Sequence, residues 1–557
     1  MKMRFSVVWP TSWKQWAPHP LTFASAAMIV FAFPPWNLWP LLWICLIPWF
    51  YVLKRTSQPR QALIQGLWLG YFMSLGGFYW IAFAIQEFGN LHWILAGLGL
   101  QFFCLVGQPH FLFFAFLFKK LKSPKGILFS LNLGLFFVGL EWLLPKMFSD
   151  TLGHGFYIAE NLRQAADLGG ARLLTFVIFF VNHALWGRLE SLGLRQDTSS
   201  FSGRKFRTFF IQREVIVALG LIVSLWTYGV FRKAQITRVI EGPLSFKIQG
   251  AAIQGNIGDF DKIAAERGVA GAARKVVQLF MQLTEEALTL SPRPQFVIWP
   301  ETAYPTTFRN PNTISEVKLD DTLEQFIHHI QVPLLFGGYD REKRRDFNAF
   351  FFLSPQGQLQ TYRKNILLHF GEYIPGAESF QFLKDAFPQV GNFGRGVGPE
   401  ILSLDLTHPF PEAPDERKSH PTNPRIRVSP IICYEVLFPN YVIQTARQNS
   451  QLIVNITNDS WFGSWGEPQL HLALSVFRSI ETRIPMLRTT NTGISALISA
   501  DGTIQQPTEL GTQKILNVSI PITPPIPSWI KTLGDGFGPL ALILSFLGLI
   551  IVRLSKR

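Results

Sequence analysis

Three residues able to do covalent chemistry each stand immediately after a strand-like segment. They are Glu301 in Trp299-Pro300-Glu301, Lys364 in Tyr362-Arg363-Lys364 and Cys433 in Ile432-Cys433-Tyr434-Glu435. Loops that follow strands converge readily on one site. A free cysteine, with a pKa of about 8.5, is mostly thiol at neutral pH and attacks an ester carbonyl only with help from a base or a positive neighbour. A carboxylate shielded from water binds protons more tightly, so Glu301 suits the base that takes the thiol proton and later returns it to a leaving group. The tetrahedral intermediate carries an oxyanion, for which Lys364 and the backbone N–H after Cys433 are suitable donors. Taken singly, each residue has a plainer explanation: a buried small hydrophobe, a helix cap or surface acid, a solvated cation.

The elements that must position these side chains lie in the second half of the chain. Apolar runs Phe246–Gln254, Phe296–Trp299, Val332–Phe336, Ala349–Leu353, Val428–Ile432 and Leu452–Ile456 alternate with helix-like stretches 261–289, 314–330 and 467–483. Such alternation predicts an α/β domain over 243–521. Ser354-Pro355-Gln356-Gly357 is a hairpin turn signal. The Pro- and charge-rich stretch 408–427 predicts a surface excursion, and 522–535 a linker.

The rest of the chain is of a different kind. With 48% hydrophobic, 14% aromatic and only 16% charged residues, 557 residues exceed one soluble domain in both length and apolarity. About 20 apolar residues of helix cross a hydrocarbon core roughly 30 Å thick. Seven candidate spans, 20–36, 38–53, 62–85, 91–118, 127–145, 171–187 and 215–231, form a membrane domain over 1–231; an eighth, 536–552, lies in the C-terminal segment 536–557. The fourth is long enough to kink near Pro109.

The net charge of +14 sits almost entirely in the segments around these spans: 1–20, 54–61, 119–126, 188–214 and 553–557 carry nineteen Lys or Arg against three acidic residues. That distribution argues for membrane orientation and against a nucleic-acid partner. By the positive-inside rule the basic loops and both termini are cytoplasmic, which puts 232–535 outside. Three cysteines, two of them (Cys45 and Cys104) in apolar runs, exclude a disulfide framework. Glu141 and His183, ionisable groups inside spans, are suspects by location, with structural pairing as the competing account.

The order Glu301, Lys364, Cys433 resembles the nitrilase (carbon-nitrogen hydrolase) superfamily, and with seven spans before and one after it the chain resembles the apolipoprotein N-acyltransferase family. Gln254-Gly255-Asn256, Phe370-Gly371-Glu372-Tyr373, Asn458-Asp459-Ser460-Trp461-Phe462-Gly463 and Arg488-Thr489-Thr490-Asn491 carry the same resemblance. His369 stands where that family usually has proline. The resemblance implies an α-β-β-α sandwich and a catalytic Glu301-Lys364-Cys433 triad. It also implies supporting roles for Glu372 and Glu435, by orienting Lys364 or tuning Cys433; salt bridging or loop hydrogen bonding is the alternative. Tyr373, Tyr434, Trp461 and Phe462 are candidates to line an acyl-chain entrance, or to serve as interfacial anchors.

The implied reaction moves an acyl chain from a membrane phospholipid, through a Cys433 thioester, to the α-amine of a diacylglyceryl-cysteine apolipoprotein. It runs at the outer face of a bacterial inner membrane, in a monomer, without metal or cofactor; no ligand cluster or phosphate loop stands out. Two rivals remain: a membrane-bound amidase or nitrilase that uses water, and a non-catalytic binding or transport protein. Scarce paired charges within the spans argue against the second.

Overall fold

Proline and glycine punctuate the N-terminal apolar segments more sharply than mean hydropathy suggests. The computed structural model describes residues 16–554 except 90, 122–125, 193–211, 259–268, 270, 344, 377–378, 380–381, 383–384, 386–390 and 407–424. The predicted excursion 408–427 therefore lies largely outside the described residues, as do most of the basic segments 1–20 and 188–214. Among the described residues, three helices are long and apolar enough to span a bilayer singly: Trp93–Lys120, Leu162–Ser191 and Arg213–Ile240. A bent pair, Pro59–Gly77 with Ile81–Glu87 at 61°, makes a fourth candidate, and Pro20–Ala32, Ile127–Leu143 and Phe537–Ile550 are shorter apolar helices.

The stretch read as a second span, 38–53, is not one continuous helix: it divides into a short 3-10 turn, Trp39–Trp43, and a nine-residue helix, Ile47–Arg55. Pro48 lies in the first turn of that helix, where its missing N–H would have no helical partner, so it marks a helix start and the two pieces do not fuse. The fourth segment divides before Pro109, into Trp93–Val106 and Pro109–Lys120, as the sequence suggests. The helix Ala166–Ser191 is interrupted at Gly169 and Gly170, the latter at φ 70°.

Among the described residues, the second half forms two six-stranded sheets. One holds β1 (Phe246–Gln254), β2 (Phe296–Ile298), β3 (Leu334–Glu342), β4 (Arg345–Leu353), β5 (Leu359–Arg363) and β12 (Lys514–Ile522) in the order β12-β1-β2-β3-β4-β5. The other holds β6 (Leu402–Asp405), β7 (Arg425–Ile432), β8 (Leu452–Thr457), β9 (Met486–Thr490), β10 (Ala496–Ile498) and β11 (Ile504–Gln505) in the order β11-β10-β9-β8-β7-β6. Strands β7, β8 and β9 run parallel. The hairpin β4–β5 turns at Ser354–Gly357, where the Gly357 N–H donates to the Ser354 carbonyl at 2.9 Å.

An apolar layer including Ile248, Phe296, Phe350, Ile432 and Val454 fills the space between the sheets. The helices Ala272–Leu288 and Ile314–Ile330 cover the outer face of the first. The outer face of the second is covered by Pro439–Ala446 and Glu467–Thr482, whose apolar side chains share one continuous core with the N-terminal apolar helices. All of Glu467–Thr482 except Gln469 is buried, because the sheet and those helices enclose it from both sides. At about 1.5–3 kcal/mol for each fully buried large apolar side chain, this shared core is a strong cohesive term between the two halves.

The segment 522–535 is more than a linker. It contains the helix Trp529–Leu533, with Ile526 and Ile530 buried, and only then enters the last apolar helix. That helix packs on Ile127–Leu143 so closely that a Cβ on Gly139 would lie 2.7 Å from the Leu542 Cα. Glu141 pairs with Lys146 at 3.5 Å and accepts from the Thr151 hydroxyl at 2.6 Å; His183 meets the Ser130 hydroxyl at 2.9 Å. Both contacts fit the structural account of these two residues.

Candidate active site

Glu301 leaves β2 through Pro300, which cannot extend a strand ladder, and Trp299 beside it is anchored by its indole N–H on the Thr284 hydroxyl at 2.9 Å. Strand β3 passes directly beneath: a Cβ on Gly337 would come within 2.6 Å of the Glu301 Cα, so only glycine permits this approach. Lys364 follows β5, its N–H donating to the Asn348 carbonyl at 2.9 Å. Cys433 follows β7 at φ 47°, a left-handed conformation that costs a non-glycine residue about 1–3 kcal/mol and clusters at functional sites.

These turns bring Glu301, Lys364 and Glu372 into direct contact. The Lys364 Nζ donates to Glu301 Oε1 at 3.2 Å and to Glu372 Oε1 at 2.8 Å. The Asn348 amide donates to the same two oxygens, at 2.7 and 2.8 Å. The second oxygens accept backbone N–H groups, from Asn458 at 3.0 Å for Glu301 and from Leu368 at 2.7 Å for Glu372. Burial by itself would strip the Lys364 proton, but the Glu301 and Glu372 carboxylates outweigh it and hold the ammonium well above its ordinary range.

Cys433 is buried within the electrostatic reach of this group. Burial first and the Glu301 charge second push its thiol well upward, with Lys364 and a Thr457 hydrogen bond pulling the other way. A resting thiol beside a carboxylate and an ammonium can lose its proton as it attacks, and it has no need of a standing thiolate.

Glu435 does not face this cluster. It lies beneath it, with one oxygen accepting the N–H groups of Asn365 at 2.7 Å and Ile366 at 3.2 Å, and the other that of Ile432 at 2.9 Å. The Tyr362 hydroxyl donates to it at 2.8 Å. One carboxylate thus ties the segment after Lys364 to the strand end that carries Cys433.

Of the four aromatics, Tyr434 donates its hydroxyl to the Met147 carbonyl and meets the Phe148 ring at 6.1 Å. Phe462 meets Trp80 edge-on at 5.3 Å. Both therefore contact the N-terminal helical half. Trp461 packs against the shared core, and Tyr373 lies between His369, 5.2 Å ring to ring, and the Arg395 guanidinium at 4.8 Å.

Sequence reasoning missed Asn348, whose only sign is a polar residue within the apolar run of β4, and His471. The His471 Nε2 lies 3.4 Å from the Cys433 carbonyl, and its Nδ1 lies 3.1 Å from Asp459 and 3.2 Å from Glu467. Asp459, Glu467 and His471 are the one group among the described residues whose ligand atoms lie close enough to share a cation. The Arg488 guanidinium, 2.9 Å from Asp459 Oδ2, already supplies positive charge there. Burial opposes the ionised Asp459, but Arg488 and His471 outweigh it and hold the carboxyl low.

Residues 25–184 match the family described as "Apolipoprotein N-acyltransferase N-terminal domain", and residues 251–523 match "Carbon-nitrogen hydrolase". The apolipoprotein N-acyltransferase of Bdellovibrio bacteriovorus is 30% identical over 502 residues, covering 86% of this chain and 83% of the relative. That of Geobacter metallireducens is 28% identical over 505 residues, covering 88% and 87%. Among solved structures, a nitrilase-superfamily member from Saccharomyces cerevisiae covers 50% of this chain and 92% of its own at 15% identity, with a TM-score of 0.35. An amidase from Nesterenkonia sp. covers 49% and 90% at 15% identity, with a TM-score of 0.34.

Proposed function

The chain belongs to the apolipoprotein N-acyltransferase family, and from that premise we propose that Glu301, Lys364 and Cys433 transfer an acyl chain from a membrane phospholipid to the N-terminal amine of a lipoprotein. The observation that carries the assignment of residues is the Lys364 ammonium held between two carboxylates beside a cysteine on a left-handed turn.

In the first half-reaction Glu301 takes the Cys433 thiol proton as sulfur attacks the ester carbonyl. The oxyanion forms against the Lys364 ammonium, and collapse breaks the ester C–O bond. The departing lysophospholipid oxygen receives the proton from Glu301, leaving a thioester. In the second, the α-amine of a diacylglyceryl-cysteine attacks the thioester and Glu301 accepts its proton. Collapse then breaks the C–S bond, and the proton returns to sulfur. Each half-reaction leaves Glu301 as it began.

Glu372 and Asn348 act as positioning residues: with Lys364 they fix the Glu301 carboxylate, and Glu372 keeps the ammonium charged. Glu435 holds the Lys364 and Cys433 segments in register. Tyr434 and Phe462, which touch the membrane half, suit the path of an acyl chain; Trp461 and Tyr373 lie at its edge. Keeping that path in contact with lipid avoids a cost of about 0.8 kcal/mol for each CH₂ exposed to water. The eight-span topology, with both termini in the cytoplasm and 243–521 at the outer face of the inner membrane, is part of the same proposal. The charge distribution of the chain supports it.

The test is to incubate the purified full chain in detergent with acyl-labelled phospholipid and then add a diacylglyceryl lipopeptide. Label should appear on Cys433 and pass to the peptide. Cys433→Ala should carry none, and Glu301→Gln should slow thioester formation by about 10²- to 10⁴-fold. Label that stays on the Cys433→Ala chain would overturn the nucleophile, and label released only as free fatty acid would replace the transferase by a hydrolase.

A further inference from the structure

Cys433, Asn458 and Asn491 stand at the carboxyl ends of the parallel strands β7, β8 and β9. The amino ends of the same strands open on a separate cavity of about 700 Å³. Arg427 lies in this cavity, six residues and about 20 Å of strand from Cys433.

Three of the lining side chains, Arg427, Arg447 and Lys531, are cations whose hydrogen bonds go only to backbone carbonyls. Arg427 donates to Gln448, Arg447 to Lys531 and Thr532 at 2.6 Å each, and Lys531 to Ile526 at 3.3 Å. None of the three pairs with a carboxylate among the described residues, and the lining contains no Asp or Glu. Burial lowers the proton affinity of Lys531, as it does for a cation without a counter-ion. Arg483 also lines the cavity, but Asp167 neutralises it at 2.7 Å.

The rest of the lining is apolar, including Leu244, Phe246 and Ile484. Leu244 is 77% exposed at the rim, and Trp529 and Leu533, 64% and 70% exposed, flank Lys531 on its short helix. Four residues beyond Leu533 the last apolar helix begins, at Phe537. Three cations without a carboxylate partner among the described residues, beside exposed apolar side chains at the start of an apolar helix, describe a site for an anion that carries its own hydrocarbon. We propose that this cavity binds the phosphate of an anionic membrane glycerophospholipid, at the pole of the catalytic domain opposite Cys433. It is a binding site independent of the transfer chemistry.

The experiment uses the full chain with Cys433→Ala, so that no acyl transfer occurs, delipidated in neutral detergent. Native mass spectrometry counts bound phosphatidylglycerol on this parent and on the same chain with Arg427→Gln and Lys531→Gln. Arg447 is retained because it ties down the helix Trp529–Leu533. The double variant should bind one lipid fewer at equal lipid concentration, and Arg427→Lys with Lys531→Arg should restore it. Diacylglycerol, which lacks phosphate, should show no difference between parent and variant. Equal lipid counts for parent and double variant would overturn the proposal. Displacement of that one lipid by inorganic phosphate at matched concentration would also overturn it, and would reassign the cavity to a free anion.

Discussion

Glu435 holds two segments together although its burial opposes its charge. Burial pushes its carboxyl up from 4.5 to about 7, against the N–H groups of Ile432 and Asn365. A carboxyl raised in the folded state stabilises fully below its unfolded pKa, where it is protonated in both states. That contribution is lost as pH rises through the folded value. At about 1.4 kcal/mol per pH unit, its share of the loss approaches about 3 kcal/mol by neutral pH. Glu467 and Glu481, also raised to about 7 with burial as the leading cause, titrate over the same range. The expected outcome is that Glu435→Gln narrows, without abolishing, the fall in thermal midpoint between about pH 5 and about pH 8. Identical falls in variant and parent would show that Glu435 does not contribute to that dependence.

At the scale of elements, the close pass of β3 under the Glu301 turn makes a sharp prediction. A methyl at Gly337 would meet the Glu301 Cα at 2.6 Å and both the Pro300 oxygen and the Thr302 nitrogen at 2.8 Å, all of them backbone atoms that yield only if the turn moves. Gly337→Ala should therefore displace Glu301 and lower the rate of thioester formation by about 10²-fold, with KM little changed, in a single-turnover assay. Strand ends were the most legible part of the site: the apolar runs ending before Glu301 and Cys433 form β2 and β7, Lys364 follows a strand, β5, as expected, and β1 and the helix Ile314–Ile330 have the bounds that their patterns predict. Asn348 was illegible because its place beside Lys364 depends on the antiparallel register of β4 with β5, which sets Ala349 opposite Arg363. His471 was illegible for another reason. It lies on a helix buried on every side, so periodicity marks no face as special. Hydropathy found the apolar segments but averaged over the break before Ile47–Arg55, whose first turn holds Pro48; the span read from 171 begins just past the break at Gly169–Gly170.

At the scale of the whole molecule, the two halves are joined by charge as well as by their shared core. Asp167, buried near the start of the helix Ala166–Ser191, accepts from Arg483 of the catalytic half at 2.7 Å, from Arg232 at 2.8 Å and from the Tyr228 hydroxyl at 2.7 Å. Removing one partner of a buried ion pair costs about 3–5 kcal/mol, chiefly because the other charge stays buried. Asp167→Ala leaves two guanidiniums in that condition and should lower the thermal midpoint of the detergent-solubilised chain by several degrees. An unchanged midpoint would mean that apolar packing alone holds the junction.

The 28-residue helix Arg213–Ile240 carries Arg232 and, through Ile236, reaches Ala500 of the catalytic half and Ile526 of the segment that follows it. At 1.5 Å per residue it is about 42 Å long, against about 30 Å of hydrocarbon. On the proposed topology this helix is held at one end in the bilayer and at the other in the enzyme, so bilayer thickness should set the height of Cys433 against the headgroups: lower in a thicker membrane, and above the esters it must reach in a thinner one.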